Sequence, residues 1–447
     1  MTTSLMSLSM LRGVGKEPWM FGVIIIAVMG AFLRVYNINA KEFWYDEAFT
    51  ARMTENSFGQ IIDLSAKDVH PPLYYLTVKA WTSVSGTSDL GFRSLSVLFG
   101  VLLISATYYL VNLLTDNKLK ALLVSTVIAV NPFLITYSKE ARSYSMFAFI
   151  FTLLMIIVFR LRKDNKGWLA VSILLPVFFL THYISVFSIP VLIWLIPRNK
   201  KMLIALLPLV LFVYLQLPSM LIPREPLEWV PSITSKRTTQ SIQAFVFGVY
   251  NNNSTMLPPN IKMPYLHIVL LVLITWYILD HDKNHYELLI LGIAPIALVA
   301  LAGAFGKNLY IERYLISYGY ALVVYVGIAV VGLPRKYAVS TFVCYCALSI
   351  YLTLYYAPQN VGYNNIAKYM DSLDKVIITD ATEYIAINRY SDKVKLQEGN
   401  WSRWVVINNS DILVKENSKP FYLANRGELK GWDYTMSKEG VYFYRWQ

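Results

Sequence analysis

Charge is scarce in this chain: Asp, Glu, Lys and Arg make up 15% of 447 residues, where a soluble domain carries about a quarter. Cysteine is scarcer still, with two in all, Cys344 and Cys346. They stand two apart in an apolar run and face different ways on a helix, which excludes a disulfide framework. No internal repeat and no low-complexity stretch interrupts the sequence. No cysteine–histidine cluster has zinc spacing, and adjacent carboxylates alone are too few ligands for a metal site. No cofactor is therefore required, and a divalent cation is left optional.

Apolar residues are what the chain has, at 56%, with a mean hydropathy of +0.45. A soluble domain has too much surface for its volume to hide so many, whereas lipid accepts them. The net charge of +12 does not point to nucleic acid, because Lys and Arg sit mainly in short loops between apolar runs. There they mark topology. The run near Trp19–Val35 lacks a small-residue cleavage site and reads as a retained span.

With about 20 residues per crossing, the runs predict a mainly α membrane protein of about eleven transmembrane helices. They fall near 19–35, 92–113, 121–136, 146–161, 168–180, 184–197, 202–217, 264–280, 287–305, 315–333 and 338–356. The pair 168–180 and 184–197 is short for full crossings. Basic residues recur in alternate loops: Arg12 and Lys16; Lys118 and Lys120; Arg160, Arg162, Lys163 and Lys166; Arg198, Lys200 and Lys201; Arg335 and Lys336. Those loops and the N-terminus are expected to be cytoplasmic. The loops 36–91, 137–145, 218–262 and 306–314, with the tail, are expected outside. In the first outer loop, Leu73–Val84 has the spacing of an interfacial amphipathic helix. The division is a membrane domain over 1–360 and a small extracytoplasmic α/β domain over 361–447. In the latter Lys375–Asp380, Trp404–Asn408, Phe421–Leu423 and Val441–Arg445 read as strands.

Four polar clusters fall on the expected outer side. Asp46 and Glu47 follow Trp44 and Tyr45, and His70 precedes a Pro-Pro-Leu-Tyr-Tyr run. Lys139, Glu140, Arg142 and Tyr144 crowd a short hairpin; His182 and Arg313 stand in two further loops. Taken alone, the acid pair reads as a solvated loop, His182 as a hydrogen-bonded structural group and Arg313 as a snorkelling span end. The hairpin reads equally as an interfacial loop or as the charged floor of a cavity. Grouped at one face they point to a polar site at headgroup depth.

The ordered series Trp44-Tyr-Asp-Glu-Ala-Phe-Thr-Ala-Arg52, His70-Pro-Pro-Leu-Tyr-Tyr75, Arg93-Ser-Leu-Ser-Val-Leu-Phe99, Asn131-Pro132, Tyr137-Ser-Lys-Glu-Ala-Arg-Ser-Tyr144, Thr181-His182-Tyr183 and Glu312-Arg313-Tyr314 resembles the family 39-like membrane glycosyltransferases. That group includes protein O-mannosyltransferases and the aminoarabinose transferases of lipid A. The resemblance covers roughly the first 360 residues and departs at Lys139, where relatives usually carry Gln. It implies the C-type membrane glycosyltransferase fold and a polyprenyl-phosphate sugar as donor. Membrane lipid, donor and an acceptor hydroxyl would be the partners. By motif match Asp46 would be the general base, with Glu47 its supporting acid. Guanidinium and imidazole groups suit the charge that grows on a departing phosphate, which nominates Arg142, Arg313, His70 and His182, with Glu140, Lys139 and Tyr144 beside them. A single displacement would invert the anomeric centre. The rival class is a lipid or solute transporter or flippase, disfavoured because the charges gather at one face and no inverted repeat is seen.

Overall fold

The computed structural model describes residues 18–66, 68, 70–221, 230, 233–250, 254–255, 285–305, 309–355, 368, 376–378, 385–386, 388–390, 395–396, 421–425, 433–438 and 441–446. Contacts divide the chain into two compact units, one of 1–38, 58–85 and 91–357, the other of 39–57, 86–90 and 358–447.

The first unit is helical. Among the described residues five helices are long and apolar enough to cross a bilayer: α1 (Pro18–Val35), α5 (Asp89–Thr115), α8 (Tyr144–Asp164), α13 (Tyr286–Ala304) and α15 (Arg335–Tyr355). The bent pair α6 (Lys118–Val130) and α7 (Pro132–Ser138) is apolar enough when taken together, as a broken span or a re-entrant loop. Shorter apolar helices are α9 (Trp168–Thr181) and α14 (Ile316–Val331). The chain is an integral membrane protein. The segment 184–197 holds a 3-10 turn (Tyr183–Phe187) and the short helix α10 (Ile189–Leu195) in place of one crossing helix. Helix α11 (Lys200–Leu221) covers 202–217, and the expected span 264–280 lies outside the described residues. The loop between α1 and α5 carries α2 (Tyr45–Glu55), α3 (Phe58–Ser65) and α4 (Leu73–Ser85). Helix α12 (Ser235–Phe247) precedes a two-strand ribbon, β1 (Val249–Tyr250) with β2 (Ser254–Thr255).

The bend between α6 and α7 is 58° and has a local cause. Proline at position 132 has no N–H for the Ile128 carbonyl and drives Asn131 to extended ψ of 117°. Asn131 then caps α7, its side-chain oxygen accepting from Leu134 N at 2.9 Å, while its Nδ2 donates to the Phe245 carbonyl. The carbonyls freed on α6 are taken by Arg34, which is fully buried: Nη1 donates to Ala129 O at 3.0 Å and Nη2 to Ile128 O at 3.5 Å. Its Nε donates to Ser138 Oγ at the end of α7 (3.2 Å). Gly100 leaves room for this node, since a Cβ there would collide with Ser138 Oγ. The break thus fixes the hairpin 139–143 that carries Arg142.

In the second unit β3 (Val376–Ile378), β4 (Lys395–Leu396), β5 (Phe421–Asn425), β6 (Asp433–Lys438) and β7 (Val441–Trp446) form one sheet in the order β4-β3-β5-β7-β6. Strand β3 runs parallel to β4 and β5, which demands crossover connections; β7 is antiparallel to β5 and β6. The expected strand at 404–408 lies outside the described residues. The same unit takes in the loop of Asp46. Phe43 N donates to Tyr390 Oη (2.7 Å), and Tyr390 Oη donates to Asp89 Oδ2 (2.9 Å). Arg389 forms an ion pair with Asp89 at 3.0 Å, its guanidinium 5.2 Å from the Phe43 ring. Burial, and Asp89 next, push the Tyr390 phenol up, so it stays a donor.

Candidate active site

Within the first unit, residues from four separate loops meet. The hairpin after α7 supplies Arg142, 3% exposed. The segment before α4 supplies His70, and the end of α9 supplies His182 as its C-cap. Tyr314 comes from the turn that opens α14. Arg142 Nη2 lies 2.9 Å from His70 Nε2. The His70 and His182 rings meet edge to face at 5.5 Å, and His182 meets Tyr314 at 4.9 Å. Tyr144 packs near both, at 6.4 Å from His182 and 6.5 Å from Tyr314. The Arg313 guanidinium lies 5.5 Å from the Tyr314 ring centre and contributes to the electrostatics of His182.

The proton positions follow from the partners. A guanidinium only donates, so His70 Nε2 accepts from Arg142. Its other nitrogen, Nδ1, therefore carries the proton and faces Asp68 Oδ2 at 3.4 Å. Tyr75 Oη donates to that same oxygen at 3.0 Å. A Tyr–Asp–His–Arg chain results, in which the acid orients the imidazole and the imidazole orients Arg142. Asp68 and Tyr75 are the members that sequence reasoning missed. His182 Nδ1 accepts from Ile184 N at 3.3 Å, which leaves the proton on Nε2. That Nε2 is buried with no hydrogen-bond partner among the described residues. A buried donor without an acceptor is costly unless something else fills the role.

Burial lowers the His182 pKa well below its usual value, and His70, Arg142 and Arg313 lower it further. The imidazole is neutral when folded. An unfolded chain, with its His near about 6.5, binds more protons below that pH, so stability is full above it and lost as pH falls through the window beneath it. The melting temperature of the purified protein is accordingly expected to drop on acidification from neutral. A His182→Gln variant should lose part of that slope, and an unchanged slope would deny His182 the burial described here.

The remaining candidates divide. The Lys139 ammonium donates to the Tyr36 carbonyl at 2.7 Å, and burial, then Arg34, lowers its pKa to about 8. Glu140 closes the hairpin, its carbonyl accepting from Arg142 N at 2.7 Å. Glu312 accepts from Ser241 Oγ at 2.9 Å and pairs with Arg237 at 3.7 Å, which ties α12 to the segment of Arg313. Asp46 and Glu47 lie in the second unit, in the first turn of α2, where the helix dipole favours acids. Glu47 is fully buried and Asp46 only partly so. Among the described residues no group of three His, Cys, Asp or Glu is arranged to hold a metal ion. The sequence holds one His-x-x-x-His pair, His281 and His285, of which His281 lies outside the described residues.

The comparisons with known proteins support the fold that the ordered motifs implied. Residues 69–222 match the dolichyl-phosphate-mannose-protein mannosyltransferase family. Among curated proteins none matches the sequence. Of solved structures, ArnT from Cupriavidus metallidurans bound to undecaprenyl phosphate is similar at 10% identity and a TM-score of 0.56, over 96% of this chain and 98% of that one. Its apo state gives 9% and 0.59, over 95% and 97%. An oligosaccharyltransferase from Archaeoglobus fulgidus, tethered to an acceptor peptide containing the NVT sequon, gives 11% and 0.51, over 86% of this chain. This chain spans only 64% of that protein's length.

Proposed function

We propose that this protein transfers a sugar from a polyprenyl-phosphate donor to an acceptor hydroxyl on a protein, lipid or glycan at the outer face of the membrane. The observation that carries the reading is the unpartnered, buried Nε2–H of a neutral His182, set in one cluster with Arg142 and His70. Donors fixed in a water-poor site stabilise negative charge most where it develops. A lipid phosphate leaving an anomeric carbon develops such charge, and the ArnT structure of the same fold holds undecaprenyl phosphate.

In this reaction the acceptor oxygen attacks the anomeric carbon as its proton passes to Asp46. The bond from that carbon to the phosphate oxygen breaks, and its electrons stay on the phosphate. Arg142, His182 and Arg313 take up the charge; His70 keeps Arg142 in place. Attack opposite the leaving group inverts the anomeric centre. Apolar helix faces accommodate the polyprenyl chain. Asp46 acts as base and Glu47, buried beneath the same turn, as its support.

The test is the purified protein in bilayers, given polyprenyl-phosphate sugars one class at a time with extracted acceptors from its host. Transfer is read by mass and the new linkage by its anomeric proton. The expected result is a product of opposite configuration to the donor, with no transfer from a nucleotide sugar. Transfer from the nucleotide sugar alone, or retention of configuration, would overturn the reading.

A further inference from the structure

At the far end of α8 from the active-site cluster lies a second basic site. Tyr144 opens that helix beside His182, and Arg162 stands near its other end. At 1.5 Å per residue the two are about 27 Å apart along the axis, close to the thickness of a bilayer core. Arg162 and Arg198 line one cavity of about 410 Å³ together with Trp194, Leu195, Ile196 and Pro197. Both arginines and Trp194 are exposed, and the Trp194 ring lies 6.4 Å from that of Tyr286. Arg162 Nη1 also pairs with Glu287 Oε1 at 2.8 Å. That carboxylate, 9% exposed, holds one edge of the guanidinium and offsets part of its charge. Lys163, Lys166, Lys200 and Lys201 stand within a few residues of the two arginines in sequence, against Asp164.

We infer that this cavity binds the phosphate of an anionic glycerophospholipid in the leaflet opposite the active site. Three features converge on that chemistry. Arg162 stands in the last turn of α8 and Arg198 lies between α10 and α11, so they share the cavity because the fold brings them together. Arginine forks match phosphate oxygens, and Arg162 comes pre-oriented by Glu287. The tryptophan–tyrosine pair marks the headgroup layer, and the exposed apolar faces of the helices below offer the acyl chains a wall. Under the positive-inside rule this is the cytoplasmic leaflet, where anionic lipid attracts basic segments. A free phosphate would satisfy the arginines equally, but nothing in it would use the aromatic pair. The inference is independent of the transfer reaction, and its failure leaves that reading untouched.

The experiment is native mass spectrometry of the full-length protein released from nanodiscs of phosphatidylcholine and phosphatidylglycerol in equal parts. The wild type is expected to retain phosphatidylglycerol preferentially. Arg198→Gln leaves the Arg162–Glu287 pair intact and should reduce that retention about fivefold, the worth of one surface arginine at an anionic membrane. Arg162→Gln with Arg198→Gln should reduce it further. Glu287→Gln should raise it, because the amide oxygen still accepts from Arg162 and keeps it oriented while the competing charge is gone. Equal retention by the wild type and Arg198→Gln, or a fall in Glu287→Gln, would overturn the site. A competition arm adds millimolar inorganic phosphate. Undiminished lipid retention supports the phospholipid as occupant, and full displacement would reassign the cavity to free phosphate.

Discussion

Asp46→Asn is expected to lower sugar transfer by at least about 100-fold, the lower end of what a positioned general base contributes. Asparagine has nearly the same shape and keeps a hydrogen-bonding carbonyl, but it cannot take the proton of an attacking hydroxyl. Asp46 is partly exposed at the first turn of α2, so its replacement breaks no buried core. The variant should therefore express and melt close to wild type. Affinity for the donor should survive as well, because in this mechanism Asp46 meets the acceptor and not the phosphate. The loss belongs in the single-turnover rate. Glu47→Gln separates the two acids. Glu47 is fully buried, so its change acts first on stability and only through the helix on rate. Full activity in Asp46→Asn would remove the base assignment. A variant that turns over normally once saturated with donor would move Asp46 from proton transfer to donor binding.

Apolar runs marked the crossing helices because a bilayer demands unbroken stretches, and alternate basic loops set their parity. That parity predicted that His70, Arg142, His182 and Arg313 would share a side. In the folded unit the first three share a cluster, with Arg313 beside its edge at Tyr314. Partners that depend on tertiary placement left no trace. Asp68 stands two residues from His70, yet only the fold turns both toward Arg142 and Tyr75. Arg162 and Glu287 are 125 residues apart and each reads alone as a helix-end charge. Arg34 stands at the end of the first apolar run, and it is buried because the Pro132 break leaves carbonyls that need a donor. Lys139, which the motif sets beside the phosphate ligands, has its ammonium on the Tyr36 carbonyl. In the tail the alternation of residues 441–445 announced β7, whereas the Arg389–Asp89 and Tyr390–Asp89 contacts join segments with no shared pattern.

Arg142→Gln is expected to reduce transfer by about 100- to 1000-fold, the usual effect of removing one preorganised donor from a developing anion. Its guanidinium is 3% exposed, so the charge it presents is little screened by water. Unlike the Asp46 variant, this one should also bind polyprenyl phosphate more weakly, because the phosphate carries charge both in the product and near the transition state. Arg142→Lys restores the charge without the planar fork that meets His70 Nε2. It should recover only part of the loss. Asp68→Asn tests whether the chain behind Arg142 matters. Asparagine keeps a carbonyl but lacks the charge that fixes the His70 tautomer, so the expected cost is nearer tenfold. In the double variant Asp68→Asn/Arg142→Gln the Asp68 effect should nearly vanish, since its route to the phosphate runs through Arg142. Additive losses would mean that Asp68 acts elsewhere. Unchanged polyprenyl-phosphate affinity in Arg142→Gln would remove Arg142 from the phosphate site altogether and leave His182 and Arg313 to carry the charge.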